Sequence, residues 1–220
     1  MMKRDRQMKK FDGLIFDVDG TLWDSTKVVA KAWTKAFEEE GYDMQICADR
    51  LKGLFGLPMD DIIADLLPDS TYEERQRIAP CVYKYEEEFL YENAGELYPD
   101  LELMMRTLAK EYRIFIVSNC QKGYIELFCD KTGLGDIVAD HSCFGDNNLM
   151  KSDNIKLIVK RHNLSNPVYI GDTQMDADAC REAGCPIIYA AYGFGNVAEP
   201  DYVINKPMDL VELLEGKDEA

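Results

Sequence analysis

Two aspartates, Asp17 and Asp19, stand two residues apart directly after the apolar run 14–16, and Gly20 follows them. Two like charges this close destabilise each other unless a cation lies beside them or one of them carries a proton. Side chains at positions i and i+2 of an extended chain point to the same side, so both carboxyl groups can reach one site. The pair therefore predicts a cation site, acid–base chemistry, or both.

Polar side chains also follow two further apolar runs. The run YRIFIV leads to Ser118 and Asn119, and the run VYI leads to Asp172 and, four residues later, Asp176. Ligands of parallel sheets bind beyond the carboxyl ends of the strands, at a switch point in strand order. We therefore expect these polar groups to meet Asp17 at one edge of a sheet.

Short apolar runs of β character alternate with amphipathic segments in most of the chain, which predicts βαβ units and a parallel sheet covered on both faces. The fold class is thus α/β, with a Rossmann-like doubly wound core. The predicted strands are 14–16, 112–117, 168–170, 186–189 and, more weakly, 202–204. The predicted core helices are 100–110, 121–133, 153–162, 174–184 and 207–215.

The region 24–94 contains no convincing strand and interrupts this alternation just after the first strand. It reads as three helices, with Asp24 or Ser25 as the N-cap of the first. We predict an all-helical cap domain at 24–94, inserted in a core domain formed by 1–23 and 95–220. The predicted cap helices are 26–39, 59–67 and 71–91.

Composition excludes several classes of protein. The chain has 220 residues, of which 46% are hydrophobic, and a formal charge of −16, so a nucleic-acid partner is not expected. No apolar run is long enough for a membrane span, and the basic N-terminus is not expected to be a signal peptide. The seven cysteines contain no C-x-x-C pair, which favours reduced thiols and a cytoplasmic protein. The protein is expected to be a monomer or a homodimer. Its last five residues, GKDEA, are expected to be frayed.

Four blocks of the sequence together resemble the motifs of the haloacid dehalogenase (HAD) superfamily. They are DVDGTL from Asp17, the apolar run that ends at Ser118, Lys151, and GDTQMD ending at Asp176. Members with a helical cap carry it after the first strand, where the helical insertion occurs here. The LWDS that ends at Ser25 and the later GLP make the resemblance closest to the phosphoglycolate phosphatase and β-phosphoglucomutase-like branch.

The resemblance implies a magnesium site and two catalytic carboxyl groups. Asp17 would be the nucleophile that forms an aspartyl-phosphate, and Asp19 would be the general acid and base. The Mg²⁺ ligands would come from Asp17, from Asp19 through its backbone carbonyl, and from Asp172, with Asp176 holding the ion or its waters.

The resemblance also implies residues that hold the substrate. Ser118 and Lys151 would complete the catalytic set by holding and neutralising the phosphoryl group. Lys156 and Lys160 compete for the role of Lys151, although their i, i+4 spacing is typical of an exposed helix face. The expected substrate-binding residues are Thr21, Asn119 and, from the cap, Arg50 and Lys52.

The function implied is an Mg²⁺-dependent phosphatase that acts on a small phosphorylated metabolite, either phosphoglycolate or a sugar phosphate. A phosphomutase would use the same residues and return the phosphoryl group to a sugar. A 2-haloacid dehalogenase needs no metal and is disfavoured by the acidic residue at Asp19. A non-catalytic ligand-binding domain is disfavoured by the intact set of Asp17, Asp19 and Asp172.

Overall fold

The computed structural model of the chain describes residues 11–216. Two predictions concern positions that lie largely outside these residues. They are the absence of a signal peptide at the N-terminus and the frayed GKDEA tail. No helix within 11–216 has both the length and the apolar character that crossing a membrane requires.

The strands are β1 (Gly13–Phe16), β2 (Trp23–Asp24), β3 (Glu96–Leu97), β4 (Arg113–Ser118), β5 (Val138–Cys143), β6 (Pro167–Gly171), β7 (Ile187–Ala190) and β8 (Tyr202–Ile204). The helices are α1 (Thr26–Glu39), α2 (Ala48–Lys52), α3 (Met59–Leu66), α4 (Tyr72–Glu92), α5 (Leu101–Leu108), α6 (Tyr124–Thr132), α7 (Phe144–Asn147), α8 (Lys151–His162), α9 (Gln174–Ala183) and α10 (Asp209–Glu215).

Six strands form one parallel sheet in the order β5-β4-β1-β6-β7-β8. From β1 the chain adds β4 and β5 on one side, and then returns to add β6, β7 and β8 on the other. The strand order therefore reverses at β1, which is where a parallel sheet of this kind opens a binding crevice.

Successive residues of the central strands pack into different hydrophobic layers. Ile15 and Phe115 join the layer that contains Ile155 of α8, whereas Phe16 joins the layer that contains Met104 of α5. This alternation is the period of two expected of a strand, and both faces are covered by helices. The predicted α/β doubly wound fold is confirmed.

The four helices α1–α4 form a helical cap whose apolar faces pack on each other, and α1 lies along α4 through buried side chains such as Phe37 and Val82. The chain enters and leaves the cap through β2 and β3, which pair antiparallel. Asp24 accepts a hydrogen bond from the backbone N–H of Thr26 at 2.9 Å and so caps α1. We propose that this pair of strands is the boundary between the two predicted domains.

The sequence did not predict the two-residue strands β2 and β3, the strand β5 or the short helices α2 and α7. Strand β5, VADHSC, lies at the sheet edge, and only its last two residues are buried. An edge strand needs no continuous apolar run, so its residues give little β signal. Helices of four or five residues, such as α7 and α2, are too short to show a helical period.

Helix α7 packs tightly against the loop that follows β4. The backbone N–H of Gly145 donates to the carbonyl of Cys120 at 3.0 Å. A Cβ at position 145 would overlap the backbone of Gln121 and Lys122. Because these atoms are backbone, they cannot move aside as a side chain would.

We expect Gly145→Ala to lower the free energy of unfolding by about 1–3 kcal/mol, because the added methyl group overpacks this contact. Urea unfolding would measure the loss. Gly53→Ala is a matched control, because its Cβ would meet only the carbonyl of Arg50 at 3.6 Å, an ordinary contact. Equal stability of the Gly145→Ala variant and the natural protein would contradict the prediction.

Candidate active site

The end of β1 delivers Asp17 to the switch point of the sheet, with its backbone N–H bonded to the carbonyl of Ile170 at 2.9 Å. The chain then turns sharply, and the N–H groups of Thr21, Leu22 and Trp23 all donate to the carbonyl of Val18. Gly20 in this turn has a φ of 83°, and a Cβ there would overlap the carboxyl group of Asp172. Only glycine meets both conditions at low cost.

Lys151 joins the first carboxyl group to a second one. Its Nζ lies 3.0 Å from Oδ1 of Asp17 and 2.6 Å from Oδ1 of Asp176, and all three side chains are buried. Lys151 is the first residue of α8, where the N-cap residue provides no side-chain cap. Lys156 is exposed, and pairs with Asp153 and Glu182 instead. Of the two, the structure brings only Lys151 to Asp17.

The carboxyl groups after β6 are held by backbone and hydroxyl donors. Asp172 accepts from the backbone N–H of Phe194 at 2.7 Å and from Oγ1 of Thr21 at 3.2 Å. Asp176 is the third residue of α9 and caps that helix together with Thr173. Asp176 therefore serves both the helix end, through Oδ2, and Lys151, through Oδ1.

Asp17, Asp172 and Asp176 bring three carboxylate oxygens within 4.8 Å of one another, all buried. Oδ1 of Asp17 receives no aligned hydrogen bond although Lys151 is close. Burial raises the pKa of Asp17 to about 6, against the opposing effect of Lys151, and burial likewise raises that of Asp172. One ammonium does not balance three carboxylates, so the donor set fits a divalent cation that prefers oxygen ligands.

Asp19 lies outside this carboxylate cluster and is held by a different set of donors. Its Oδ1 accepts from Oγ of Ser25 at 2.6 Å, from the hydroxyl of Tyr124 at 2.8 Å and from the indole N–H of Trp23 at 3.1 Å. Burial raises the pKa of Asp19 to about 7, although the Ser25 and Tyr124 hydrogen bonds oppose the shift. Oδ2 has no hydrogen-bond partner among the described residues, so one carboxyl oxygen stays free for chemistry.

Three of these donors were not predicted as site residues. Trp23 and Ser25 both donate to Asp19, and Ser25 also occupies the N-cap position of α1 without a side-chain cap. Tyr124 begins α6, far along the chain from Asp19. The only signal in the sequence is its position, because it is an aromatic residue a few positions after Ser118, the polar last residue of β4.

The predicted substrate-binding residues of the core differ in their surroundings. Ser118, at the end of β4, and Asn119 both line the cavity beside Asp17. Asn119 also donates through Nδ2 to the carbonyl of Gly56 in the cap at 2.8 Å. Thr21 is fully buried, donates to Asp172 and does not line this cavity, so its contact with a substrate stays a prediction.

The two predicted cap residues lie away from the cavity lining. Arg50 pairs with Asp65 inside the cap, with half of its side chain exposed. Lys52 lies 3.7 Å from Asp24 and its ammonium stands 5.8 Å from the ring centre of Phe194 in the core. Contact of either residue with a substrate stays a prediction.

A cavity of about 50 Å³ separates the core site from the cap. The core provides its carboxyl groups and polar strand ends, and the cap provides aromatic and aliphatic walls and one further acid. The lining residues are Asp17, Asp19, Trp33, Phe55, Gly56, Leu57, Met59, Ile62, Tyr83, Glu86, Ser118, Asn119, Cys120, Gln121 and Tyr124.

The family model of the haloacid dehalogenase-like hydrolases matches residues 14–190, which include the carboxylate cluster, Lys151 and every residue that lines the cavity. The chain belongs to the haloacid dehalogenase-like hydrolase family. The predicted family is thus confirmed, and with it the prediction of a hydrolase.

Curated relatives and solved structures match almost the whole of this hydrolase. A phosphoglycolate phosphatase of Aquifex aeolicus is 25% identical over 92% of this chain and 96% of its own length. One of Vibrio cholerae is 26% identical over 94% and 98%. The structure of a haloacid dehalogenase-like hydrolase from Streptococcus pneumoniae matches with a TM-score of 0.82 and 23% identity, covering 94% of this chain and 99% of that one.

Removal of Lys151 should destabilise the protein most at high pH. Without the ammonium the pKa of Asp17 in the folded state rises further above its unfolded value, so folding of this buried carboxylate becomes costlier as pH rises. We expect Lys151→Met to lose about 3 kcal/mol near pH 8 and about half of that near pH 5. Urea unfolding with a chelator present would measure both values.

Lys156→Met is the matched control on the same helix, because Lys156 pairs with its acids in solvent. It should lose less than about 1 kcal/mol at either pH. A loss for Lys151→Met that is the same at both pH values would contradict the prediction.

Proposed function

We propose that the protein is an Mg²⁺-dependent phosphatase that hydrolyses a small phosphorylated metabolite through an aspartyl-phosphate. The observation that carries the proposal is the arrangement of two aspartates around one cavity. Asp17 is buried beside Lys151 and Asp172, while Asp19 presents an unbonded carboxyl oxygen and a pKa of about 7. The first suits a nucleophile and the second suits a general acid and base.

In the first step a carboxylate oxygen of Asp17 attacks phosphorus and the bond from phosphorus to the leaving oxygen breaks. Asp19 gives its proton to that oxygen, so the leaving group departs as a neutral alcohol. In the second step water attacks the aspartyl-phosphate, Asp19 takes a proton from the water, and Asp17 is released with inorganic phosphate. Asp19 thus ends each turnover protonated, as it began.

The remaining residues supply charge and orientation. Lys151 neutralises the nucleophile and the incoming phosphoryl group, while the hydroxyl of Ser118 and the backbone N–H of Asn119 hold phosphoryl oxygens. Mg²⁺, held by Asp17, Asp172 and the backbone carbonyl of Asp19, would supply positive charge that offsets the phosphate and screens it from Asp17. Catalysis of this kind depends mainly on positioning and charge compensation.

The substrate is proposed at the level of its class. The curated relatives named above are phosphoglycolate phosphatases, so phosphoglycolate is a candidate, and a sugar phosphate is the other. A phosphomutase would use the same Asp17 and Asp19. A dehalogenase would have no use for an acid like Asp19, which three donors hold in place.

The proposal is tested with p-nitrophenyl phosphate in the presence of Mg²⁺. We expect Asp17→Asn to abolish release of p-nitrophenol, because no other group can accept the phosphoryl group. We expect Asp19→Asn to slow turnover by about 10²–10⁴-fold and to accumulate an aspartyl-phosphate, since p-nitrophenolate needs no acid to leave. Intact-mass spectrometry would show one phosphoryl group on the Asp19→Asn variant, and peptide analysis would place it on Asp17.

Two outcomes would contradict this proposal. Turnover that persists in Asp17→Asn would show that Asp17 is not the nucleophile. Full turnover after exhaustive chelation would show that the reaction needs no metal ion. Asp178→Asn is a control for the change of charge, because Asp178 is exposed on α9 and pairs with Arg181.

The Tyr124 hydroxyl should set the upper limit of the active pH range. It donates to Asp19 and so favours the carboxylate form, which lowers the pKa of Asp19. Tyr124→Phe removes that donor, so this pKa rises, and Asp19 remains a usable acid at higher pH. We expect the high-pH limb of the kcat/KM profile to move up by about one pH unit.

Tyr83→Phe is the matched control, because Tyr83 lines the same cavity and makes no hydrogen bond to Asp19. Its pH profile should keep the limb of the natural enzyme. An unchanged or lowered limb in Tyr124→Phe would show that Asp19 is not the group that titrates.

A further inference from the structure

The cap places a buried acid, Glu86 of α4, in the wall of the cavity that also contains Asp17 and Asp19. The Glu86 residue is 4% exposed. The catalytic steps proposed above do not use it. A buried carboxyl group without a cation is costly, so its presence in a small cavity requires an explanation.

Two N–H donors hold Glu86 in position. The indole of Trp33 donates to Oε2 at 2.6 Å, and the side-chain amide of Gln121 donates to Oε1 at 2.8 Å. Both donors favour the carboxylate form, while burial acts in the opposite direction and raises the pKa of Glu86 to about 7. Each oxygen keeps a further lone pair, so Glu86 offers acceptors to whatever occupies the cavity.

Asn119 adds a second acceptor to the same cavity. Its amide nitrogen donates to the carbonyl of Gly56, which fixes the orientation of the amide group. Its Oδ1 is buried and has no hydrogen-bond partner. A buried acceptor without a partner costs free energy that a donor on a bound ligand would recover.

The lining contains no basic residue to meet a carboxylate. None of the described residues that surround the cavity is Lys, Arg or His. Lys151 serves Asp17 and Asp176 on the phosphoryl side. Among the residues that line the cavity, a carboxylate on the leaving group would find only neutral donors, such as the hydroxyl of Tyr83, and would face Glu86.

We propose that Glu86 determines specificity by accepting a hydrogen bond from an O–H or N–H group on the leaving group of the substrate. The inference rests on the proposed phosphatase function and narrows its substrate class. The substrate is a phosphomonoester of a small alcohol that carries a further hydroxyl or an ammonium group, and it is not one that ends in a carboxylate. Phosphoglycolate is therefore a poor substrate.

Three substrates that differ only at the end of a two-carbon leaving group test this directly. They are 2-hydroxyethyl phosphate, phosphoethanolamine and phosphoglycolate, assayed with Mg²⁺ by released phosphate, and p-nitrophenyl phosphate reports the core chemistry. We expect kcat/KM of the natural enzyme to be at least about tenfold higher for the better of the first two than for phosphoglycolate. A preference for the ammonium compound would indicate an amino alcohol phosphate, and a preference for the hydroxyl compound a polyol or sugar phosphate.

Glu86→Gln removes the charge and keeps the shape of the side chain. We expect it to reduce kcat/KM for the preferred donor substrate by about tenfold and to raise that for phosphoglycolate. The loss on p-nitrophenyl phosphate, which has no donor for Glu86, should be clearly smaller than the loss on the donor substrate. Glu87→Gln is the matched control, because Glu87 is the next residue on α4, exposed and outside the lining of this cavity.

The outcomes separate the two proposals. Hydrolysis of p-nitrophenyl phosphate together with phosphoglycolate as the best of the three substrates would overturn the role of Glu86 alone. An equal loss on all four substrates in Glu86→Gln would also overturn it, since Glu86 would then only support the structure. No hydrolysis of p-nitrophenyl phosphate by the natural protein would overturn the phosphatase function itself. The ranking in the natural enzyme needs no variant, so the test does not depend on how well Glu86→Gln folds.

Discussion

The structure of the site depends on one buried ammonium group shared by buried carboxylates. Lys151 lies between Asp17 and Asp176, and Asp172 belongs to the same cluster. Removing these charges from water is costly, and a single cation offsets only part of that cost. The cluster is therefore incomplete as an electrostatic unit, and a divalent cation with oxygen ligands would complete it. Under the proposed function, a protein of formal charge −16 would bind a phosphate because the positive charge is local.

The fold serves this cluster by bringing three strand ends together. Strands β4, β1 and β6 are neighbours, so the residues at or directly after their ends lie at one edge of the sheet. These residues are Ser118, Asp17 and Asp172. The loops must then approach so closely that Gly20 leaves no room for a side chain beside Asp172. The sharp turn after Asp17 also separates the two aspartates chemically. Asp17 faces Lys151, whereas Asp19 faces the hydroxyl and indole donors, so two residues of one type occupy two electrostatic environments.

The buried central strands and the polar residues after them were predictable, because continuous apolar runs and acids at strand ends are local signals. The role of Lys151 was predictable only through the resemblance. The one local signal was the i, i+4 spacing of Lys156 and Lys160, which is typical of an exposed helix face. The edge strand β5 gave no apolar run. Tyr124 and Glu86 were missed for another reason. Each contacts a residue that is distant in the sequence: Tyr124 contacts Asp19, and Glu86 contacts Gln121. A single residue on a helix gives no sequence pattern that predicts such a contact.

Closure of the cap and selection of the substrate depend on the same contacts. The cap reaches the loop after β4 through two hydrogen bonds, from Asn119 to Gly56 and from Gln121 to Glu86. Both pairs include residues that line the cavity, so under the proposal a bound leaving group would contact the groups that hold the cap against the core. A leaving group that donates to Glu86 and Asn119 would then stabilise the closed arrangement, and one that carries a carboxylate would destabilise it. Discrimination by the cap would then act on closure, and only a closed cap excludes water from Asp17 before the phosphoryl group is transferred.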